Sequence, residues 1–200
     1  MKNLKTALPK SIAMVFVLTV VCGMLYTAFV TLVAQVFFPN QANGSIIEVN
    51  GTKYGCELLA QQFSDKTHMW GRVMNVDTST FVDEDGTPLL YAQPSNLSPK
   101  SDEFQEIVAD RVAMILESNP DAKVNQIPED LVTCSGSGLD PDISVAAAEY
   151  QVPRLAEENN MTEKEVEDIV EKCTTHKLLG ILGENTVNVL KVNLMLEGIL

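Results

Sequence analysis

The sequence predicts an α+β protein in which one N-terminal transmembrane helix precedes a single mixed α/β extracytoplasmic domain. Residues 12–38 carry no charged side chain, and every acidic residue lies after position 40. Beyond residue 38, short β-prone runs alternate with helical patterns, as in α+β domains. We therefore divide the chain into a basic cytoplasmic N-terminus (1–11), a transmembrane helix (12–38) and an acidic soluble domain (39–200).

The apolar segment 12–38 is long enough to cross a bilayer. It contains 27 residues, and a helix needs about 20 to span the hydrocarbon core. Three lysines and no acid precede it, and the next basic residue is Lys53. By the positive-inside rule, this asymmetry predicts a single-pass protein of the cell membrane with a cytoplasmic N-terminus and an extracytoplasmic C-terminal domain.

Two processing alternatives compete with an uncleaved anchor. A cleaved signal peptide has an apolar core of about 7–15 residues and a small-x-small cleavage site. The core here is longer, and no such site follows it. A lipoprotein signal would place a small residue before its cysteine, but Val21 precedes Cys22. An uncleaved membrane anchor is therefore the favoured interpretation.

The charge is concentrated after the anchor. The first 40 residues hold three of the 14 basic side chains and none of the 27 acidic ones, so the remainder has a net charge of 11 − 27 = −16. Such a domain repels nucleic acid and anionic lipid headgroups and concentrates cations. The acidity is either an ordinary solvated surface or a feature suited to the vicinity of a cation channel.

The cysteines and histidines predict neither a metal site nor a catalytic centre. Of four cysteines, Cys22 lies in the anchor, and the three external ones allow at most one disulfide. His68 and His176 stand alone, and no Ser/His/Asp or Cys/His motif is present. The external cysteines are Cys56, Cys134 and Cys173.

Local patterns predict the first half of the domain. Tyr54–Phe63 has helical spacing, and Asp85-Gly86 predicts a hairpin turn between β-prone runs. The acids beside that turn lack the ligand spacing of a calcium loop. Ser101 is expected to cap a helix that Asn119-Pro120 ends, and Arg111, at the border of its apolar stripe, is expected to pair with an acid.

The second half contains three further helix starts and a final strand. Leu131–Thr133 resembles an extended run before a Ser/Gly loop and the turn at Asp140-Pro141. Ser144 predicts an N-cap, Pro153 the first residue of the next helix, and Thr162-x-x-Glu165 a capping box. The last segment predicts a strand with one apolar face: Leu190, Val192, Leu194 and Leu196.

The motifs DLVTCSGSGLDPDIS…YQVPRLA and LLGILGENTVNVLKVNL closely resemble the C subunit of the Kdp-type potassium-transporting ATPase. The resemblance covers nearly the whole chain and is weaker in the middle. The matching residues are Asp130 to Thr133, Ser135 to Pro141, Ile143, Ser144, Gln151 to Arg154, Leu179, Gly180, Leu182 to Glu184 and Val187 to Leu190.

This resemblance implies an accessory subunit that is not itself an enzyme. Its partners would be a potassium-channel-like subunit, a P-type ATPase subunit and a small fourth subunit, with membrane lipid around the anchor and no nucleic acid. Potassium would be the transported ion, and ATP would act through the complex, with no cofactor bound firmly. The family subunit is described as a catalytic chaperone that raises the ATP affinity of the ATPase subunit.

The same resemblance implies a nucleotide site. It would comprise Gln151 and the Ser-Gly loop, which we define as Ser135, Gly136, Ser137 and Gly138. A Gly/Ser turn before a helix can hold phosphate, but no Walker lysine or Mg²⁺ ligand set accompanies it, and Asp140 and Asp142 would repel phosphate. The alternative is a structural turn, with the family's ATP effect transmitted indirectly.

Small residues in the anchor offer positions for helix packing against other subunits. The alternative is ordinary variation on a lipid-facing surface. Three functional classes therefore remain: an assembly subunit of a potassium pump, a nucleotide-binding chaperone with a cytoplasmic domain, and an unrelated anchored extracellular binding domain. The packing positions are Thr19, Gly23, Thr27 and Thr31.

Overall fold

The protein is described by a computed structural model that covers residues 2–118 and 122–200. Its chain divides into two compact units, one ending at Ile46 and the other running Ile47–Leu200. The first unit is helical, and the second contains helices and small antiparallel sheets. An N-terminal apolar helix followed by a mixed α/β domain confirms the predicted fold class.

The first unit is a helix with a widened middle. Helices α1 (Lys2–Leu18) and α2 (Thr27–Phe37) are joined by a π-helical segment, Thr19–Tyr26, and the short helix α3 (Pro39–Ala42) follows. Within Lys5–Phe37, the most apolar stretch of 18 residues has a mean hydropathy of 2.3, and the protein buries none of it. Among the described helices, only this one has the length and composition to cross a membrane.

Short strands pair in three small sheets within the described part of the second unit. Strands β1 and β2 pair with each other, and β3 and β4 form an antiparallel pair. The third sheet has the order β5-β7-β6, with Ile143 and Thr174 both opposite Val187. The strands are β1 (Ile46–Val49), β2 (Thr52–Cys56), β3 (Val76–Asp77), β4 (Tyr91–Ala92), β5 (Asp142–Ser144), β6 (Thr174–Thr175) and β7 (Thr186–Asn188).

Five helices pack with these sheets around one core. Side-chain caps determine where several of these helices begin. Trp70, Leu155, Val166 and Val192 are buried at its centre. The helices are α4 (Asp102–Ser118), α5 (Val145–Glu149), α6 (Val152–Glu158), α7 (Glu163–Lys172) and α8 (Val189–Leu196). Two 3₁₀ turns, Val124–Gln126 and Glu129–Leu131, lead into β5.

The predicted helix starts are confirmed. Ser101 Oγ accepts from Phe104 N at 3.3 Å, and Ser144 Oγ accepts from Ala147 N at 3.2 Å. Thr162 and Glu165 form the reciprocal capping box. Helix α6 begins at Val152, one residue before the predicted Pro153. The predicted stop at Asn119-Pro120 lies outside the described residues.

The predicted hairpin is also present. Asp83 N donates to Thr87 O and Leu89 N donates to Phe81 O, both at 2.9 Å. Gly86 lies between these pairs with a φ of +82°, which a residue without Cβ adopts readily. The turn therefore forms where Asp85-Gly86 predicts it.

Three local predictions are wrong. Tyr54–Phe63 forms the end of β2 and a turn instead of a helix, and Gln61 Nε2 donates back to Tyr54 O at 3.2 Å. Leu131 belongs to a 3₁₀ turn and not to a strand, since Thr133 N and Oγ1 both donate to Glu129 O. The predicted C-terminal strand is helix α8, whose first turn is capped by Asn188 Oδ1 at 3.1 Å from Lys191 N.

Candidate functional site

Two side-chain amides bind the main chain of consecutive residues, Met69 and Trp70, in the core of the domain. Gln151 Oε1 accepts from Trp70 N at 2.8 Å, and its Nε2 donates to Trp70 O at 3.0 Å. Asn193 does the same for Met69, accepting from N at 2.6 Å and donating to O at 3.0 Å. The two amides therefore pair main-chain groups that would otherwise be buried without partners. We call this arrangement the amide clamp.

Gln151 uses its remaining hydrogen-bonding capacity inside the protein as well. Its Nε2 also donates to Ala147 O at 3.1 Å, and its Oε1 also accepts from Arg154 Nη2 at 2.8 Å. An amide offers two N–H donors and one carbonyl oxygen with two lone pairs. With 3% exposure, the Gln151 side chain has all of these groups paired within the fold.

Two arginine guanidinium groups lie within about 6 Å of the Trp70 ring centroid. The Arg154 guanidinium lies 4.1 Å from the ring centroid and donates to His68 O at 3.0 Å and to Lys66 O. Burial lowers the pKa of Arg154 to about 10. Arg111 lies 5.9 Å from the same ring and donates to Leu131 O and Gly71 O at 2.8 and 2.9 Å.

The expected pairing of Arg111 with an acid is therefore wrong. Among the described residues, Arg111 donates to two main-chain carbonyl groups and to the Met114 sulfur, and no acidic side chain forms an ion pair with it. Desolvation by burial lowers its pKa. The carbonyl oxygens of Leu131 and Gly71 therefore accept the hydrogen bonds that the sequence analysis assigned to an acid.

The Ser-Gly loop is folded against two main-chain segments. Ser135 is buried, and its Oγ accepts from Gly138 N at 3.0 Å. Gly138 O accepts from Asn75 N at 3.0 Å, and Gly138 has a φ of +73°. A Cβ at Gly138 would lie only 2.4 Å from Gln93 O. Gly138 is therefore required by both conformation and close packing.

Gly136 differs from Gly138 within the same motif. It is exposed, and a Cβ built on it meets no atom within 4 Å. Ser137 is also exposed, and its Oγ accepts from Leu139 N at 3.2 Å. Only the middle of the Ser-Gly loop is thus open to solvent.

The charged groups beside the loop link it to the start of helix α5. Arg72 Nη1 lies 4.0 Å from Asp130 Oδ1 and 3.8 Å from Asp140 Oδ2, and its Nη2 donates to Cys134 O at 3.3 Å. The other Asp130 oxygen accepts from Ser144 N at 2.8 Å. The main-chain N–H of the N-cap residue is therefore already bonded to a carboxylate, whose charge would repel a phosphate placed beside it.

The two parts of the predicted nucleotide site have separate surroundings. Gln151 bonds to Trp70, Ala147 and Arg154. The hydrogen bonds described for the Ser-Gly loop join it to Asn75, Cys134, Leu139 and residues of the loop itself. The two sets share no residue, so the structure places Gln151 in the amide clamp and the loop against the β3–β4 segment.

Comparison with known proteins identifies the family. The sequence model of the K⁺-transporting ATPase c chain matches residues 8–198. The chain belongs to the KdpC family. It is 58% identical over 200 residues to a potassium-transporting ATPase KdpC subunit of Clostridium botulinum type E3, strain Alaska E43, with all of both chains covered. It is 56% identical over 191 residues to that of Clostridium perfringens, strain ATCC 13124, with 96% of each chain covered.

A more distant KdpC subunit, from Clostridioides difficile strain 630, is 43% identical over 209 residues and covers 100% of this chain and 99% of its own. These similarities confirm the family resemblance seen in the sequence. As a KdpC chain, the protein is a subunit of a potassium-transporting ATPase.

In this KdpC chain, two of the predicted membrane packing positions, Thr19 and Gly23, lie in the π-helical segment, and Thr27 and Thr31 follow it in α2. Thr27 Oγ1 donates to Gly23 O at 2.6 Å. The Thr19 methyl group lies 3.8 Å from where a Cβ of Gly23 would be. Thr19, Gly23, Thr27 and Thr31 are all exposed. Packing of another helix against these small residues stays a prediction.

The sequence analysis missed two members of the central network. Trp70 is the only tryptophan of the chain, and its position before Gly71-Arg72 could have indicated a special environment. Asn193 carried a weaker signal, a polar residue within an apolar run. Because its partner Met69 lies 124 positions away in sequence, no local pattern could identify that contact.

Proposed function

We propose that this KdpC chain is a non-catalytic subunit of an ATP-driven potassium uptake complex that acts by docking onto its partner subunits. The anchor helix would pack beside other membrane helices through its threonine and glycine face, and the acidic domain would bind partners outside the membrane. Hydrolysis of ATP would take place in the P-type ATPase subunit, with the channel-like subunit and the small fourth subunit completing the complex.

The observation that carries this proposal is the environment of Gln151. Its side chain makes four hydrogen bonds within the fold and is almost fully buried. Opening the amide clamp to admit a nucleotide would leave Trp70 main-chain groups without partners, which is costly. This favours a structural role for Gln151 and an indirect effect of the chain on ATP affinity, through the conformation of the ATPase subunit.

The proposed topology places the N-terminus in the cytoplasm and the acidic domain outside it. The lysines at one end of the apolar helix support this orientation. A domain of net charge −16 on the outer side would also raise the local cation concentration where potassium is taken up. ATP would then be scarce around the Ser-Gly loop.

Single-cysteine labelling in intact cells tests the topology. Gly136→Cys places a thiol in open space on the Ser-Gly loop, and Lys5→Cys places one at the exposed N-terminal end of the helix. Both are made in a chain whose native cysteines are replaced. We expect a membrane-impermeant maleimide to label position 136 without lysis and position 5 only after lysis. The reverse pattern would contradict the proposal.

Photolabelling of the assembled complex tests the nucleotide question separately. A photoreactive ATP analogue is expected to label the ATPase subunit and to leave this chain unlabelled, with excess ATP as competitor. Label recovered on the peptide that contains the Ser-Gly loop, and removed by ATP, would establish direct nucleotide contact. That result would support the nucleotide-binding chaperone instead.

A further inference from the structure

A cluster of aliphatic side chains projects from the domain between β6 and β7. Leu179 and Ile181 are 83% and 78% exposed, and Leu178 and Leu182 are more than half exposed. We call these four residues the apolar knob. Single exposed leucines are common, but a contiguous exposed apolar cluster marks an interaction site.

The apolar knob is held in a defined conformation. Leu178 N donates to Leu182 O at 2.8 Å, and Leu182 N donates to Leu178 O at 3.0 Å. Between them, Leu179 and Gly180 both adopt positive φ angles, +56° and +76°. A left-handed leucine is uncommon, and the two hydrogen bonds between Leu178 and Leu182 hold the turn in this conformation.

One ion pair and one hydrogen bond connect the two arms of the hairpin at the base of the knob. Lys177 Nζ lies 2.8 Å from Glu184 Oε2, and Lys177 N donates to Asn185 Oδ1 at 2.9 Å. These contacts join the two arms of the hairpin directly below the apolar side chains. The knob therefore has its conformation before a partner binds, and this lowers the conformational entropy that is lost on docking.

An acidic groove runs along helix α7 beside the same hairpin. Its volume is about 560 Å³, and Val152, Pro153 and Val170 contribute an apolar floor. The rim carries five acids and one lysine, a net charge of −5 + 1 = −4, and Lys164 is already paired with Asp168 at 2.7 Å. The acids are Glu149, Glu163, Glu167, Asp168 and Glu171.

The groove and the knob are continuous. Glu171 on the rim of the groove lies 3.3 Å from His176 Nε2, on the arm of the hairpin that leads to the knob. Thr174 both lines the groove and begins β6. One surface therefore combines a projecting apolar element with a negatively charged channel.

We infer that the apolar knob and the acidic groove form one docking surface for a protein subunit that presents an apolar pocket beside a cluster of Lys and Arg residues. The inference rests on the proposed function and specifies which face of the domain docks. Charge complementarity determines the kind of partner, because the uncompensated rim attracts a basic surface and favours its orientation.

The charges disfavour the other occupants of this surface. Anionic lipid headgroups would be repelled by the groove, and Lys164 on its rim and Lys177 at the base of the knob are each paired with an acid. A second copy of the chain would bring another domain of net charge −16 against this one. A basic protein surface satisfies both the apolar and the acidic part.

The test uses full-length tagged chain co-expressed with its partner subunits and purified in detergent. Ile181→Ser with Leu182→Ser removes half of the knob, and Glu167→Lys with Glu171→Lys reverses the groove charge. The matched controls lie at the hairpin of residues 81–89. They are Leu90→Ser, at a 75% exposed leucine that directly follows this hairpin, and Glu84→Lys at its tip. The readout is the dissociation rate of the complex at low and high salt.

We expect each double variant to dissociate at least about tenfold faster than wild type, as for hot-spot substitutions, and the controls to match wild type. The defect of the charge variant should shrink in high salt, while that of the knob variant should persist. Wild-type dissociation rates in both double variants would overturn the inference. If wild-type chain itself fails to copurify with the partner subunits, the proposed function fails instead.

A photo-crosslinking amino acid at position 181 provides a test that does not depend on stability. A crosslink to a protein subunit of the complex, absent when the crosslinker is placed at position 90, supports the inference. Crosslinks confined to lipid or to a second copy of this chain, or no crosslink to any subunit, overturn it.

Discussion

Gln151→Ala separates the structural role of Gln151 from a nucleotide contact. The substitution removes the only hydrogen-bond partners described for Trp70 N and Trp70 O, two groups inside the core. A buried polar group left without a partner costs about 1–3 kcal/mol, so the free energy of unfolding should fall by about 2–6 kcal/mol. Domains are stable by only about 5–15 kcal/mol, and the expected decrease in Tm is at least about 4 °C.

Trp70 itself supplies the assay. It is the only tryptophan and is 2% exposed, so its fluorescence reports the unfolding of the domain in urea. The full-length chain in detergent is compared with Gln105→Ala, which truncates an exposed glutamine on α4 and should change the free energy of unfolding by less than about 0.5 kcal/mol. An unchanged urea midpoint for Gln151→Ala would refute this account. A raised ATP KM of the complex at unchanged stability would point to nucleotide contact.

Three other measurements test the domain. Gly138→Ala should lower the free energy of unfolding by more than about 2 kcal/mol, because its φ is positive and Cβ would clash, while Gly136→Ala should match wild type in the same urea titration. The Thr162 main-chain N–H lowers the pKa of Glu165. The ionised Glu165 therefore stabilises the fold above its pKa in the unfolded chain, and this stabilisation is lost as the pH falls through its pKa in the folded chain. Glu165→Gln should flatten the acid side of a curve of stability against pH. Burial raises the pKa of Cys173 to about 11, so a maleimide at pH 8 should modify it only in urea.

The sequence predicted features whose cause is local. Ser101, Ser144 and the Thr162–Glu165 pair cap helices because each side chain reaches a main-chain N–H only three residues away. The hairpin at Asp85-Gly86 depends likewise on the conformational freedom of one residue. Such short-range chemistry is largely independent of the rest of the fold, so reading it from sequence is reliable here.

Features that depend on distant contacts were missed or mistaken. The segment from Leu190 to Leu196 alternates apolar residues, but Val189 just before it and Asn193 within it are also buried. The spacing of apolar residues therefore does not distinguish a strand from a helix here. The Asn188 cap was the local signal that could have decided it. For Arg111, the partners are carbonyl groups of Leu131 and Gly71, and main-chain acceptors leave no trace in a sequence.

In the candidate site too, the sequence predicted the local feature and missed the one that depends on a distant contact. The Ser-Gly loop was found as a loop, but its two glycines serve different purposes: Gly138 permits a close approach to Gln93, whereas Gly136 meets nothing. A sequence pattern of alternating Ser and Gly cannot distinguish these cases, because the approaching main chain belongs to a segment more than 40 residues away. Similarity to a phosphate-binding turn is therefore weak support for nucleotide binding here, because main-chain groups of this turn already form hydrogen bonds within the protein.

Both units of the chain leave apolar surface uncovered, and this bears on how the subunit acts. The anchor exposes nearly all of its large side chains, and the apolar knob is exposed in the acidic domain. Burying apolar surface stabilises by about 25 cal/mol per Å², so the membrane and partner proteins can each lower the free energy of the chain by covering one of these surfaces. Residues of the amide clamp, by contrast, have their polar groups paired internally. The parts of the molecule that remain available for interaction are thus its apolar and acidic surfaces, which favours docking over ligand chemistry as the mode of action.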